Sequence, residues 1–208
     1  MFFITIIYYL FLIAFLESKK RQIIEALDHY HQHTCLRFKM RTFEQDYVRF
    51  IYDEGCYSSI GRIGGRQTIS LADGCYCKGT IIHEVDFSQL FAMCDVINCV
   101  LKQVMHALGF WHEQNRSDRD NYIEVLYQNI RPEAKDQFTK MSDKQNRLFT
   151  EYDYSSIMHY PGNAFAKSVD LITMQPKQPG VILRHACQTN ALSERDIEKI
   201  CKLYKCAV

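Results

Sequence analysis

An α+β fold is predicted by three features of the sequence. Strand-like segments come early, helix signatures gather towards the end, and a single amphipathic helix precedes the strands. In residues 18–33, Ile23, Ile24 and Leu27 recur at helical spacing, while Lys19, Lys20, Arg21, Glu25 and Asp28 serve the other face. Residues 36–40 and 47–52 are short and rich in branched and aromatic side chains, with a polar connection at 41–46, and read as two strands. Gly55, Gly61, Gly64 and Gly65 punctuate the next stretch. Residues 67–71 then alternate as a third strand before a turn at Asp73-Gly74. Pro132 near the start of residues 129–140 marks a short helix, since proline costs least in a first helical turn. Ser193 and Asp196 stand at capping-box spacing ahead of Ile197, Ile200 and Leu203, which predicts a closing helix.

The chain has 208 residues, 47% of them hydrophobic and 24% charged, enough for one substantial domain. Its 25 Lys and Arg nearly balance its 24 Asp and Glu, so no basic face invites nucleic acid. Nine cysteines suit a secreted, disulfide-stapled domain better than a reducing compartment. Residues 1–16 are apolar and carry no charged side chain. The run is short for a membrane span of about 20 residues, so anchoring is not expected and a signal-like segment over 1–17 is preferred. The alternative is that residues 6–12 form a buried first strand. The domain proper is placed at 18–208.

The chemistry concentrates in HALGFWH, where a helix carrying His106 ends at Gly109 and can turn back to present His112 to the same ion. The full form, HExxHxxGxxH, needs a histidine four residues before His106 and a glutamate beside it to act on a metal-bound water. Lys102 and Gln103 stand there instead, a cation and an amide that cannot act as base. Upstream, however, lie His83 and Glu84, and joining Glu84 to Val104 yields IIHEVMHALGFWHEQ with every element in frame. Residues 85–103 therefore split the motif. Every valine codon begins with GT and one glutamine codon ends in AG, so Val85 and Gln103 are compatible with the ends of a short in-frame intron read as coding sequence. The alternative is a genuine insertion in which Phe87, Leu90, Phe91, Val96, Ile97, Val100 and Leu101 pack as an amphipathic element. One helix running from Glu84 to His106 would hold His83 about 34 Å from His106, too far to chelate.

These residues resemble the astacin family of metzincin zinc peptidases over roughly residues 19–206. The resemblance is carried by TCLRF from Thr34, GCYS from Gly55, GRIGG from Gly61, GTIIHE from Gly79, HALGFWHEQNRSDRDNY from His106, SIMHY from Ser156 and the closing LYKC to Cys206. It implies a two-lobed catalytic domain, with a mixed sheet and active-site helix in the first lobe and a mostly irregular second lobe ending in a helix. It further implies one zinc ion per domain held by His83, His106 and His112, with Glu84 as general base and protein or peptide substrates. Tyr160 is similar to the family's switching ligand, which leaves the metal and stabilises the oxyanion. Met158 would floor the site, and Glu113 matches the residue that receives a buried amino terminus. The family pattern also implies disulfides Cys35–Cys206 and Cys56–Cys75, leaving Cys77, Cys94, Cys99, Cys187 and Cys201 without assigned partners.

Two other clusters admit blander readings. His29, His31 and His33 read as a solvated helix end more readily than as a metal site. Arg116, Asp118, Arg119 and Asp120 read as a structural charge cluster. For an extended substrate, the strand at 67–71 is the candidate partner for backbone pairing.

Overall fold

The computed structural model describes residues 5–11, 17–72, 96–184, 188 and 191–206. Strand β1 (Thr5–Phe11) leads into helix α1 (Glu17–His33), which crosses back to β2 (Leu36–Met40), parallel to β1. Strand β3 (Tyr47–Ile51) pairs in parallel with the other side of β1, and β5 (Arg66–Leu71) in parallel with β3. A short strand β4 (Cys56–Ser58) runs antiparallel to β5 and closes the order β2-β1-β3-β5-β4. The mixed sheet bears out the predicted α+β class.

The apolar run at the start is thus the strand of the second reading, and Thr5–Phe11 lies inside the sheet. Ile7, Tyr9 and Phe11 pack on the core. A strand flanked by parallel partners is a near-continuous apolar run, and so is the hydrophobic stretch of a signal segment. The third predicted strand also needs correcting in its role. β4 covers the outer side of β5 over Ile69–Leu71, so the edge on that side of the sheet belongs there to β4.

Helix α1 buries Ile23, Ala26, Leu27 and Tyr30, while Ile24 is 39% exposed. The apolar stripe therefore runs through Ala26 and Tyr30 instead of Ile24. The Tyr30 hydroxyl donates to the Leu101 carbonyl at 2.6 Å and ties α1 to helix α2 (Val96–Leu108). Val100, Leu101, Val104, Met105 and Leu108 of α2 fill the first core together with Leu36, Phe50, Ile69 and Leu71. At the end of α1, His31 accepts the Phe38 amide at 2.7 Å and lies 3.2 Å from Asp28. His29 accepts the Leu192 amide at 3.3 Å. The two imidazoles serve chain connections, not a metal.

A second core gathers Ile123, Ile130, Ala134, Phe138, Tyr152, Met174 and Leu183 around the two-stranded sheet of β6 (Ile123–Val125) and β7 (Met174–Pro176). This lobe is otherwise built from turns. The helix expected near Pro132 is a tighter 3-10 helix, Pro132–Phe138, with proline in its first turn as anticipated. Helix α3 (Glu194–Tyr204) starts at Ser193 with a complete capping box to Asp196. It returns to the first core through Ile200.

The Cys35–Cys206 disulfide links the start of β2 to the end of α3 across a sequence separation of 171 residues. Cys56 is also disulfide-bonded, and Cys75 lies outside the described residues. Replacing both Cys35 and Cys206 by Ser is expected to cost about 2 to 5 kcal/mol, because the bridge restrains nearly the whole unfolded chain. A urea midpoint equal to that of the parent would show that the closing helix holds without it.

Candidate metal centre

Helix α2 delivers His106 and then stops through its C-terminal geometry. Gly109 adopts φ +109°, a conformation costly for any residue with a Cβ. Its amide donates to the His106 carbonyl at 2.9 Å, and the Phe110 amide to the Met105 carbonyl at 3.0 Å. That pair of bonds is a Schellman ending. The reversal brings His112 back, so that the Nε2 atoms of His106 and His112 lie 3.1 Å apart. Two imidazoles on one tetrahedral zinc, with Zn–N near 2.0–2.1 Å, would place these atoms about 3.3 Å apart. The His106 Nδ1–H donates to the Phe110 carbonyl at 3.0 Å, which leaves its Nε2 lone pair facing His112. Burial and the nearby Lys102 charge hold His106 down to about 4 and His112 well below the ordinary value, so both rings are neutral.

The floor is the turn from Ser156 to Tyr160, and α3 holds it in place. Asp196 accepts from the Ser156 hydroxyl at 2.6 Å and from the Ile157 amide at 2.9 Å, while capping its own helix. Met158 is buried, and its carbonyl accepts the Glu113 amide at 3.1 Å. The Tyr160 ring lies tilted against that of His112, with centroids 4.4 Å apart, and burial pushes its phenol up to about 12. His159 is tied up by its own hydrogen bonds. It donates from Nδ1 to the Tyr160 carbonyl and accepts the Tyr152 hydroxyl, both at 2.7 Å.

Lys102 stands four residues before His106 on α2. Its Nζ lies 5.0 Å from the centre of the Tyr160 ring. Burial lowers its pKa to about 8, yet it stays mostly protonated at neutral pH. Gln103, 7% exposed, keeps an Oε1 with no hydrogen-bond partner among the described residues. His83 and Glu84 lie outside the described residues. Among the described residues no three His, Cys, Asp or Glu side chains converge on one point. The described donor set therefore does not fit zinc. Two imidazoles are in place, but the helix position four before His106 carries an ammonium, which has no lone pair to offer.

The family model of the astacin peptidases matches residues 4–91 and 88–205. The chain belongs to the astacin family. The two matched spans meet inside residues 85–103, where the segment breaks the pattern. Zinc metalloproteinase nas-13 of Caenorhabditis elegans is 40% identical over 189 residues, covering 90% of this chain and 37% of that protein. Zinc metalloproteinase nas-4 of the same organism is 41% identical over 88% of this chain and 52% of its own length. The chain thus spans about half or less of these relatives. Among solved structures, high choriolytic enzyme 1, a hatching enzyme zinc-protease from Oryzias latipes, superposes with a TM-score of 0.81 at 33% identity. It covers 97% of this chain and 90% of its own.

Within this astacin domain, the structure brings together His106, His112, Met158 and Tyr160 of the residues the sequence singled out. Glu113 is enclosed by other charges. Its carboxylate accepts from Lys199 at 2.7 Å, Arg116 at 2.9 Å and the Asp153 amide at 3.0 Å. Arg116 also pairs with Asp118, and Arg119 donates to the carbonyls of Gln114 and Phe138, so this cluster is structural as expected. Gln114 and Lys199 were missed by sequence reasoning. The Gln114 side chain accepts the Tyr160 amide at 3.1 Å and locks the phenol's backbone beside His112. Its only signal was its place in HALGFWHEQ. Lys199 offered none, because its partner Glu113 is 86 residues away.

Proposed function

We propose that this chain derives from a secreted zinc-dependent metalloendopeptidase of proteins or peptides, whose working form joins Glu84 to Val104. The supporting observation is the register of α2. Lys102 and Gln103 occupy helix positions four and three before His106, and removing residues 85–103 places His83 and Glu84 at those same two positions. His83, His106 and His112 would then be the zinc donors. The Cys35–Cys206 bridge and the oxidised Cys56 support an extracellular setting, and the outer edge of the sheet at β4 is where an extended substrate could pair. Sequencing the transcript across codons 84–104 tests the reading, alongside casein hydrolysis by chains expressed with and without the segment. A messenger that always retains the segment, with no hydrolysis by the joined chain, rejects it.

A second reading is favoured by the Lys102 ammonium itself. The chain that keeps the segment would be a non-catalytic secreted binding protein, since Gln103 cannot take a proton from water. Stoichiometric zinc together with turnover by the 208-residue protein would sink this reading.

A further inference from the structure

We infer that Lys102 supplies a built-in cation in the metal's place, so that the chain retaining residues 85–103 completes its centre without zinc. The inference rests on the register of α2 used above. Three observations carry it. First, the end of the segment does not merely interrupt the active-site helix but rebuilds it: residues 96–103 form the first turns of α2, with Val100 and Leu101 fully buried and the Leu101 carbonyl bonded to Tyr30. Second, the side chain so placed is a cation lying over the Tyr160 ring, with Nζ 5.0 Å from its centroid, within the range of a cation–π contact. Third, Lys102 and His106 stand four residues apart on the same helix, and so on the same face of it. A divalent ion brought between His106 and His112 would meet that charge in a poorly screened interior, and among the described residues it would find no third imidazole. Retention of the segment thus exchanges a metal-bound centre for a metal-free one within one fold.

The test uses the 208-residue protein and zinc alone as the probe. The parent is expected to hold far less than one zinc per chain after dialysis, with a thermal midpoint that EDTA does not move. The double variant Lys102→His/Gln103→Glu writes HEVMHALGFWH into α2 without removing the segment. It is expected to bind zinc at least about 100-fold more tightly than the parent, because it gains an imidazole ligand and loses the opposing charge. Its midpoint should rise with added zinc and fall back with EDTA. Lys102→Ala, which keeps helix propensity and removes the cation, is expected to bind zinc more tightly than the parent and less tightly than the double variant. It decides the matter if the double variant does not fold. Stoichiometric zinc in the parent overturns the inference, and so does a folded double variant, or Lys102→Ala, that binds zinc no better than the parent. These outcomes leave the joined chain's activity to be judged separately, so the two proposals fail independently.

Discussion

Replacing Glu84 by Gln in the chain that lacks residues 85–103 is expected to lower kcat by about 10²- to 10⁴-fold, the usual contribution of a positioned general base. The joined helix carries Glu84 at the position that Gln103 holds in the present chain. That position is 7% exposed, and its side-chain oxygen is left without a partner among the described residues. A carboxylate there can take a proton, whereas a carboxamide of nearly the same shape cannot. The substitution leaves the three histidines untouched, so zinc content should remain at one per chain while turnover falls. Loss of zinc would reassign Glu84 to holding the metal's ligands, and unchanged turnover would remove it from the chemistry altogether.

Glu113→Ala is expected to destabilise the protein by about 3 to 5 kcal/mol, the range for breaking a buried ion pair from one side. The side chains of Glu113, Arg116 and Lys199 are 5%, 7% and 8% exposed, so water cannot replace what is lost. Without the carboxylate, Lys199 keeps, among the described residues, only Asp196 at 3.7 Å, and the Asp153 amide loses its acceptor. Because Glu113 follows His112 directly and its own amide bonds Met158, the loss should also loosen the floor of the centre. Urea unfolding measures the shift as a lower midpoint. Lys202→Ala is the comparison, since its pair with Glu198 is half-exposed and worth at most about 1 kcal/mol. Equal effects from the two variants would show that burial adds nothing to the Glu113 cluster.

Local signals were legible wherever one segment carried its own reason. The stripe of α1, the branched and aromatic run of β3, the alternation of β5, the Ser193–Asp196 cap and the His106-Gly109-His112 reversal each depend on neighbours within about one or two helical turns. The family motifs added Met158 and Tyr160, and the structure buries Met158 in the first core and sets Tyr160 against His112. The double duty of Asp196, as cap of α3 and anchor of the Ser156 turn, was half visible: the cap is local, the anchor spans 40 residues.

By itself the sequence determined the α+β class, the two halves of a zinc motif and the residues between them. Only the tertiary structure decided whether the first apolar run is a strand, because burial between parallel partners and membrane targeting select the same side chains. It also decided that β5 is interior and β4 the edge, since strand order is set by which surfaces the helices cover and not by any strand's own composition. The same holds for Lys102. In the sequence it is only a residue that is not histidine; in the fold, a helix that continues back to Val96 sets its ammonium over the Tyr160 ring, which itself lies against His112.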